Sequence, residues 1–145
     1  MKLDWNSFDR GVFLVNCLGI VYNPKTRKII VGKREKDPYV KELTWTFPGG
    51  RPTYDRPLEE SLKDEIKKKT NLDVEVKKLI YARIVPSTKQ FLNIYYLCEP
   101  INDEVVAGEK FTEVKWIKPT EMIKYKPPVD PYVLKFLEKL ENGEK

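Results

Sequence analysis

The sequence predicts a single α/β domain. Three observations carry this. The chain has 145 residues, of which 41% are hydrophobic and 12% aromatic, enough for one core and too few for two comfortable domains. Several runs are rich in β-formers and bounded by turn residues. Near the middle, a Pro-Gly-Gly turn leads into a segment with helical periodicity, and a second such segment closes the chain.

Residues 12–22 (VFLVNCLGIVY) form a long apolar run and are expected to be a strand. The Asn23-Pro24-Lys25-Thr26 cluster turns the chain, and residues 28–34 return as a second strand. Residues 35–43 are charged and contain Pro38, which predicts a surface loop. A short strand over 44–47 is stopped by Pro48-Gly49-Gly50. The central helix is expected to begin near Asp55, whose carboxylate can accept from a first-turn amide, with Pro57 tolerated so early. Glu59 and Glu60 suit the positive end of the helix dipole. Leu58, Leu62 and Ile66 recur every fourth residue as one apolar stripe. Asn71 is suited to a left-handed cap.

Residues 74–85 and 91–98 read as strands joined through 86–89, followed by a polar loop over 99–109. Residues 113–117 make a short strand, and 119–123 a single helical turn. Asp130-Pro131 opens the last helix, with Val133, Phe136, Leu137 and Leu140 on one face.

Composition excludes several chemistries. There is no histidine, so catalysis would have to use carboxylates, Lys, Tyr, Ser/Thr or Cys. Cys17 and Cys98 sit in apolar runs and read as reduced core thiols. Residues 1–10 are polar and mixed in charge, unlike a signal peptide. No apolar run approaches the roughly 18 residues that span a membrane. A cytoplasmic protein without membrane partners is the expectation. The formal charge of +5 leans weakly toward anionic ligands.

The stretch from Gly50 to Leu72 resembles the Nudix box, G-x5-E-x7-R-E-U-x-E-E-x-G-U with U aliphatic. Gly50 takes the first glycine, Glu65 the glutamate after the arginine, Ile66 and Leu72 the aliphatic positions. The Trp45-Thr46-Phe47-Pro48-Gly49 lead-in is similar to the family's approach to the box. Downstream, Gly108-Glu109, residues 113–117 and Glu121-Met122 are similar to its return to the sheet. The resemblance covers nearly the whole chain and implies a Nudix fold, a mixed β-sheet sandwiched between α-helices.

The family's chemistry does not carry over as readily. Nudix enzymes cleave a diphosphate linked to another moiety, with Mg²⁺ held by the box glutamates. Here Arg56 replaces the first glutamate, Asp64 the arginine, Lys68 and Lys69 the paired glutamates, and Asn71 the second glycine. Four acids and one base in the pattern become two acids and three bases. An ammonium offers no lone pair to a metal and repels it. Glu65 is the one surviving box acid, the metal ligand if there is any. Glu109 and Glu113 are the outside acids that could join it.

The leading expectation is therefore a Nudix-fold protein with a degenerate box. It binds a nucleotide or other phosphate-bearing ligand, needs no cofactor, and has weak or absent hydrolysis. Arg34, Gly49, Gly50, Arg56, Lys68 and Lys69 are the candidate phosphate-facing residues. A plainer reading has the lysines as an ordinary salt-bridged face, pairing Asp64 with Lys68 and Glu65 with Lys69. Under an active-enzyme alternative, Mg²⁺ is rebuilt around Glu65, Glu60 or Asp64, and Glu109 or Glu113. Glu59 with Glu60 and Asp64 reads better as a solvated first turn. A third alternative is a protein-interaction scaffold. Trp45, Phe47, Tyr95 and Trp116 read as core or pocket aromatics, and Trp5 and Phe8 as a cover for a pocket or dimer contact. The basic clusters at 67–69 and 124–126, the latter containing Tyr125, come with no nucleic-acid motif, so nucleic acid is not the expected partner. Family members often dimerise, which keeps a homodimer open.

Overall fold

The computed structural model describes residues 12–34, 45–86, 90–125 and 129–144. Expectations for Trp5, Phe8, the loop at 35–43 and Lys126 lie outside these residues. Among the described residues, seven strands form one sheet. They are β1 (Leu14–Asn23), β2 (Lys28–Arg34), β3 (Trp45–Thr46), β4 (Gly49–Gly50), β5 (Val74–Ile84), β6 (Phe91–Pro100) and β7 (Phe111–Ile117). The helices are α1 (Leu58–Thr70), α2 (Met122–Tyr125), entered through a 3₁₀ turn at Pro119–Glu121, and α3 (Pro131–Glu141).

The main strand order is β3-β2-β1-β6-β5, with β4 added to β1 and β7 to β2. β1 and β6 run parallel and the remaining pairs antiparallel, so the sheet is mixed, as the resemblance implies. The side-chain period of two splits β1 between two cores. Cys17 and Val21 face α1, in a cluster with Leu62, Ile66, Leu72 and Tyr96. Ile20 and Tyr22 face α3, in a cluster with Val133, Phe136, Leu137 and Leu140. Burying each of these large aliphatic side chains contributes about 1.5–3 kcal/mol.

The last helix forms for the reason its sequence suggests. Asp130 accepts from the Tyr132 and Val133 amides at 2.8 and 3.2 Å, and Pro131 has no N–H to strand. Asn71 ends α1 with φ 67°, its amide bonded to the Lys67 carbonyl. The start of α1 differs from expectation. The N-cap is Pro57, with no side-chain cap, and Asp55 lies two residues upstream. Its pKa is lowered chiefly by a hydrogen bond with Thr53. Thr53 is itself held by Ser61, whose Oγ accepts from the Thr53 amide at 3.2 Å. The loop before α1 is thus fixed by a contact eight residues away, not by local capping.

Both cysteines are free and buried. The parallel register sets Cys17 beside Ile94 and Cys98 beside Val21. Four residues of strand separate them, roughly 13 Å, far beyond the reach of a disulfide. Among the described residues no helix is long and apolar enough to cross a membrane.

Candidate functional site

The box builds its site by bringing α1 against the glycine turn. After Pro48, whose carbonyl accepts from the Gly19 amide at 2.8 Å, the two glycines pair with β1, Gly49 beside Leu18 and Gly50 beside Cys17. Neither glycine has a positive φ; Gly49 is needed for room, and Gly50 lets Glu65 lie close. A Cβ on Gly49 would collide with the Cys17 carbonyl oxygen and lie 2.9 Å from Leu18 Cα. A Cβ on Gly50 would meet Glu65 Oε2 at 2.8 Å. The Glu65 carboxylate therefore rests on bare backbone.

Lys69, one turn along α1, completes the contact. Its ammonium donates to the Gly49 carbonyl oxygen and stands 3.4 Å from Glu65 Oε2. Its side chain is only 10% exposed. Burial lowers its pKa and the Glu65 carboxylate opposes that; Arg34 and Lys110 add further downward pressure as neighbouring positive charges. Lys68 approaches the other Glu65 oxygen at 3.9 Å and is 53% exposed. One carboxylate thus stands between two ammonium groups.

The expected partnership of Asp64 with Lys68 does not form. Asp64 instead pairs with Arg56, whose Nε also donates to Thr53 Oγ1 at 3.3 Å. The pairing of Glu65 with Lys69 does form. The six candidate phosphate-facing residues accordingly separate into groups. Gly49, Gly50, Lys68 and Lys69 converge around Glu65. Arg34, at the end of β2, is close enough to act on Lys69 electrostatically, while Arg56 is engaged by Asp64.

The outside acids lie on two different segments. Glu109 follows Gly108 in the loop that caps α1: the amides of Val106, Gly108 and Glu109 donate to the carbonyls of Thr70, Lys69 and Lys68 at 2.9–3.0 Å. These bonds satisfy carbonyls that a helix end leaves open. Glu113 pairs with Lys33 across β2 and β7 and stands 4.0 Å from Lys115. Among the described residues no three Asp, Glu, Cys or His side chains gather as a metal-holding group. Mg²⁺ asks for oxygen donors in near-octahedral array. The Gly49 carbonyl and the Glu65 carboxylate are two such donors, and both already face an ammonium.

Lys110 was not among the expected site residues. It is exposed, has φ 64°, and directly precedes Phe111, the register partner of Arg34. It is brought near α1 by the adjoining loop, whose Gly108 and Glu109 amides bond the Lys69 and Lys68 carbonyls, and by the β2–β7 pairing that follows. Of the aromatics, Phe47 and Tyr95 are buried in the α3-side core, and Trp116 packs on the α1-side core. Trp45 meets Tyr125 edge-on at 5.1 Å, with the Lys115 ammonium 4.8 Å from the Trp45 ring centre.

The NUDIX domain family model matches residues 13–140. Similar solved structures carry the same fold. A NUDIX hydrolase from Nitrosomonas europaea superposes with a TM-score of 0.73 at 18% identity, over 92% of this chain and 74% of that one. A MutT NUDIX hydrolase from Burkholderia pseudomallei gives 0.67 at 18% identity, over 86% and 95%. The MutT protein from Methanosarcina mazei Go1 gives 0.69 at 15% identity, over 94% and 97%. At such identities the likeness is one of fold. No curated protein matches the sequence.

Proposed function

The chain belongs to the Nudix family, and on that premise we propose that it binds a nucleotide or another diphosphate-bearing ligand at the basic face of α1. Its Mg²⁺-dependent pyrophosphohydrolase activity is weak or absent. One observation carries this reading: the ammonium of Lys69 lies between the Gly49 carbonyl and the Glu65 carboxylate, the oxygens a divalent ion would need. The family supplies the ligand class and the local charge supplies the mode. Lys68 lies 3.9 Å from Glu65, and Arg34 and Lys110 are positive neighbours of Lys69, so an entering phosphate meets fixed cations without a metal.

In this arrangement Lys68, more than half exposed, makes the direct phosphate contact. Lys110 and Arg34 complement it, and Lys69 holds the turn. Arg56, tied to Asp64, contributes long-range field. A cytoplasmic location, where nucleotides are abundant and Cys17 and Cys98 stay reduced, goes with this reading.

The test pairs turnover with binding. Nucleoside triphosphates, an ADP-ribose-like compound and dinucleoside polyphosphates are assayed with Mg²⁺ and Mn²⁺, alongside calorimetry in chelator. Expected are metal-independent binding, weakened about tenfold in Lys68→Ala, and turnover near background. Efficient turnover that disappears in Glu65→Gln overturns the proposal in favour of an active hydrolase with displaced carboxylates. Absence of both binding and turnover favours an interaction scaffold.

A further inference from the structure

Lys69 is the buried charged side chain of this face, and its surroundings are specific. Two hard oxygen donors reach it: the Gly49 carbonyl, fixed because Gly49 is pinned against β1, and the Glu65 carboxylate at 3.4 Å. The donors come from segments far apart in sequence, the turn and the helix. An isolated buried ammonium is strongly disfavoured. Here burial is tolerated because both oxygens are offered to it.

We infer that the space between the Gly49 carbonyl and Glu65 is a cation site with a tethered occupant, the Lys69 ammonium, and that vacating it creates a divalent-metal site in this chain. The inference concerns Lys69 and its oxygens alone and stands whether or not a phosphate ligand binds. While the ammonium is seated, a divalent ion meets two engaged oxygens and a positive charge within a few ångströms. With Lys69→Glu, the Gly49 carbonyl and Glu65 are released. The introduced carboxylate, projecting from the same helical position, adds a third oxygen ligand to the pair. Lys68→Glu is the matched control. It makes the same charge change one residue earlier, at an exposed position 3.9 Å from Glu65, and leaves Lys69 seated.

The experiment is a Mn²⁺ titration followed by electron paramagnetic resonance on wild type, Lys69→Glu, Lys68→Glu and Lys69→Glu combined with Glu65→Gln, each checked for folding by circular dichroism. Expected is one Mn²⁺ bound by Lys69→Glu at least tenfold more tightly than by wild type or Lys68→Glu, with the gain lost when Glu65 is also changed. A folded Lys69→Glu protein no better than wild type overturns the inference. A Lys68→Glu protein that equals Lys69→Glu also overturns it, since net charge would then suffice. A wild-type arm needs no variant. Nuclear magnetic resonance is expected to show the Lys69 ammonium protons in slow exchange, with the Gly49 and Gly50 amides not selectively broadened by Mn²⁺. Selective broadening at those amides in wild type means that metal enters with Lys69 in place, and the tethered-cation assignment fails.

Discussion

Adding one methyl group to each glycine of the turn has unequal expected consequences, and the contrast tests how the site is built. In Gly49→Ala the new Cβ is pressed onto the Cys17 carbonyl and stands 2.9 Å from Leu18 Cα and 3.0 Å from the Cys17 carbonyl carbon. All three are backbone atoms of β1, which is paired with β6 over eight register positions and cannot give way locally. Overpacking of this kind costs typically 1–3 kcal/mol and sometimes more; with only rigid backbone opposite, we expect about 3 kcal/mol. For a domain of this size that lowers Tm by roughly 10 °C. In Gly50→Ala the contact is with the flexible Glu65 side chain, 2.8 Å from Oε2, 3.0 Å from Cδ and 3.1 Å from Cγ, which can give by a few tenths of an ångström and stay beside Lys69. The φ of Gly50 is not positive, so alanine also restricts the unfolded chain, a gain of about 0.4–1 kcal/mol. The net change is expected to stay within about 1 kcal/mol. Urea denaturation monitored by tryptophan fluorescence gives both values from the midpoint and slope. Equal stabilities for Gly49→Ala and wild type, or a larger loss for Gly50→Ala than for Gly49→Ala, would falsify the packing argument.

Two further outcomes follow from single contacts. Asp130 caps α3 through two amides and pairs with Arg83, with its own side chain 9% exposed. Asp130→Ala is expected to cost about 3 kcal/mol, since it removes a cap and leaves Arg83 unpaired. Asp130→Asn, which keeps the cap, should cost clearly less, and denaturation of both variants checks the order. Burial pushes the Cys17 thiol up to about 11 and the Cys98 thiol to about 12. Groups with raised folded pKa values stabilise fully below the unfolded value, 9.0 for each thiol, and lose that contribution as pH rises through the folded one. Lys69, with a lowered pKa, acts oppositely, adding stability as pH rises toward 10.5. Stability is therefore expected to fall between about pH 9 and 12 less steeply in Cys17→Ala and Cys98→Ala than in wild type, and more steeply in Lys69→Met.

Legibility in the sequence tracked the range of the interactions. The β2 strand, the Asp130 cap with its four buried partners on α3, and the left-handed Asn71 depend on near neighbours and were readable. The start of α1 was not. Asp55 is a good local cap, but Thr53 holds it and Ser61 holds Thr53, which leaves Pro57 at the helix boundary. β4 was hidden because two glycines carry no strand preference; their pairing belongs to β1. Asp64 was lost to Arg56, eight residues away, in preference to the neighbour one turn along. The burial of Lys69 did leave a signal. It lies three residues after Ile66 and seven after Leu62, on the edge of the apolar stripe. Its charge drew the reading toward solvent, but the stripe position is what the fold obeys. Lys110 left none, since its approach to α1 depends on the long-range docking of the 106–109 loop on the end of the helix and on β2–β7 pairing.

The lysines at 68 and 69 matter to the proposed reading through where they point as well as through their charge. Had Lys69 pointed to solvent, the Gly49 carbonyl and Glu65 would still offer themselves to a cation, and the lysines would merely raise the local potential. Buried, Lys69 and a divalent ion compete for the same two oxygens. On the proposed reading, a metal enters only by displacing the ammonium, with Lys68 3.9 Å from Glu65 and with Arg34 and Lys110 as positive neighbours of Lys69. An arriving phosphate faces no such exclusion. On the same reading it meets Lys68, 53% exposed, without unseating Lys69. On the proposed reading, the side chain that competes with a metal for these oxygens leaves Lys68 open to the anion, while the glycine turn itself is held by its pairing with β1.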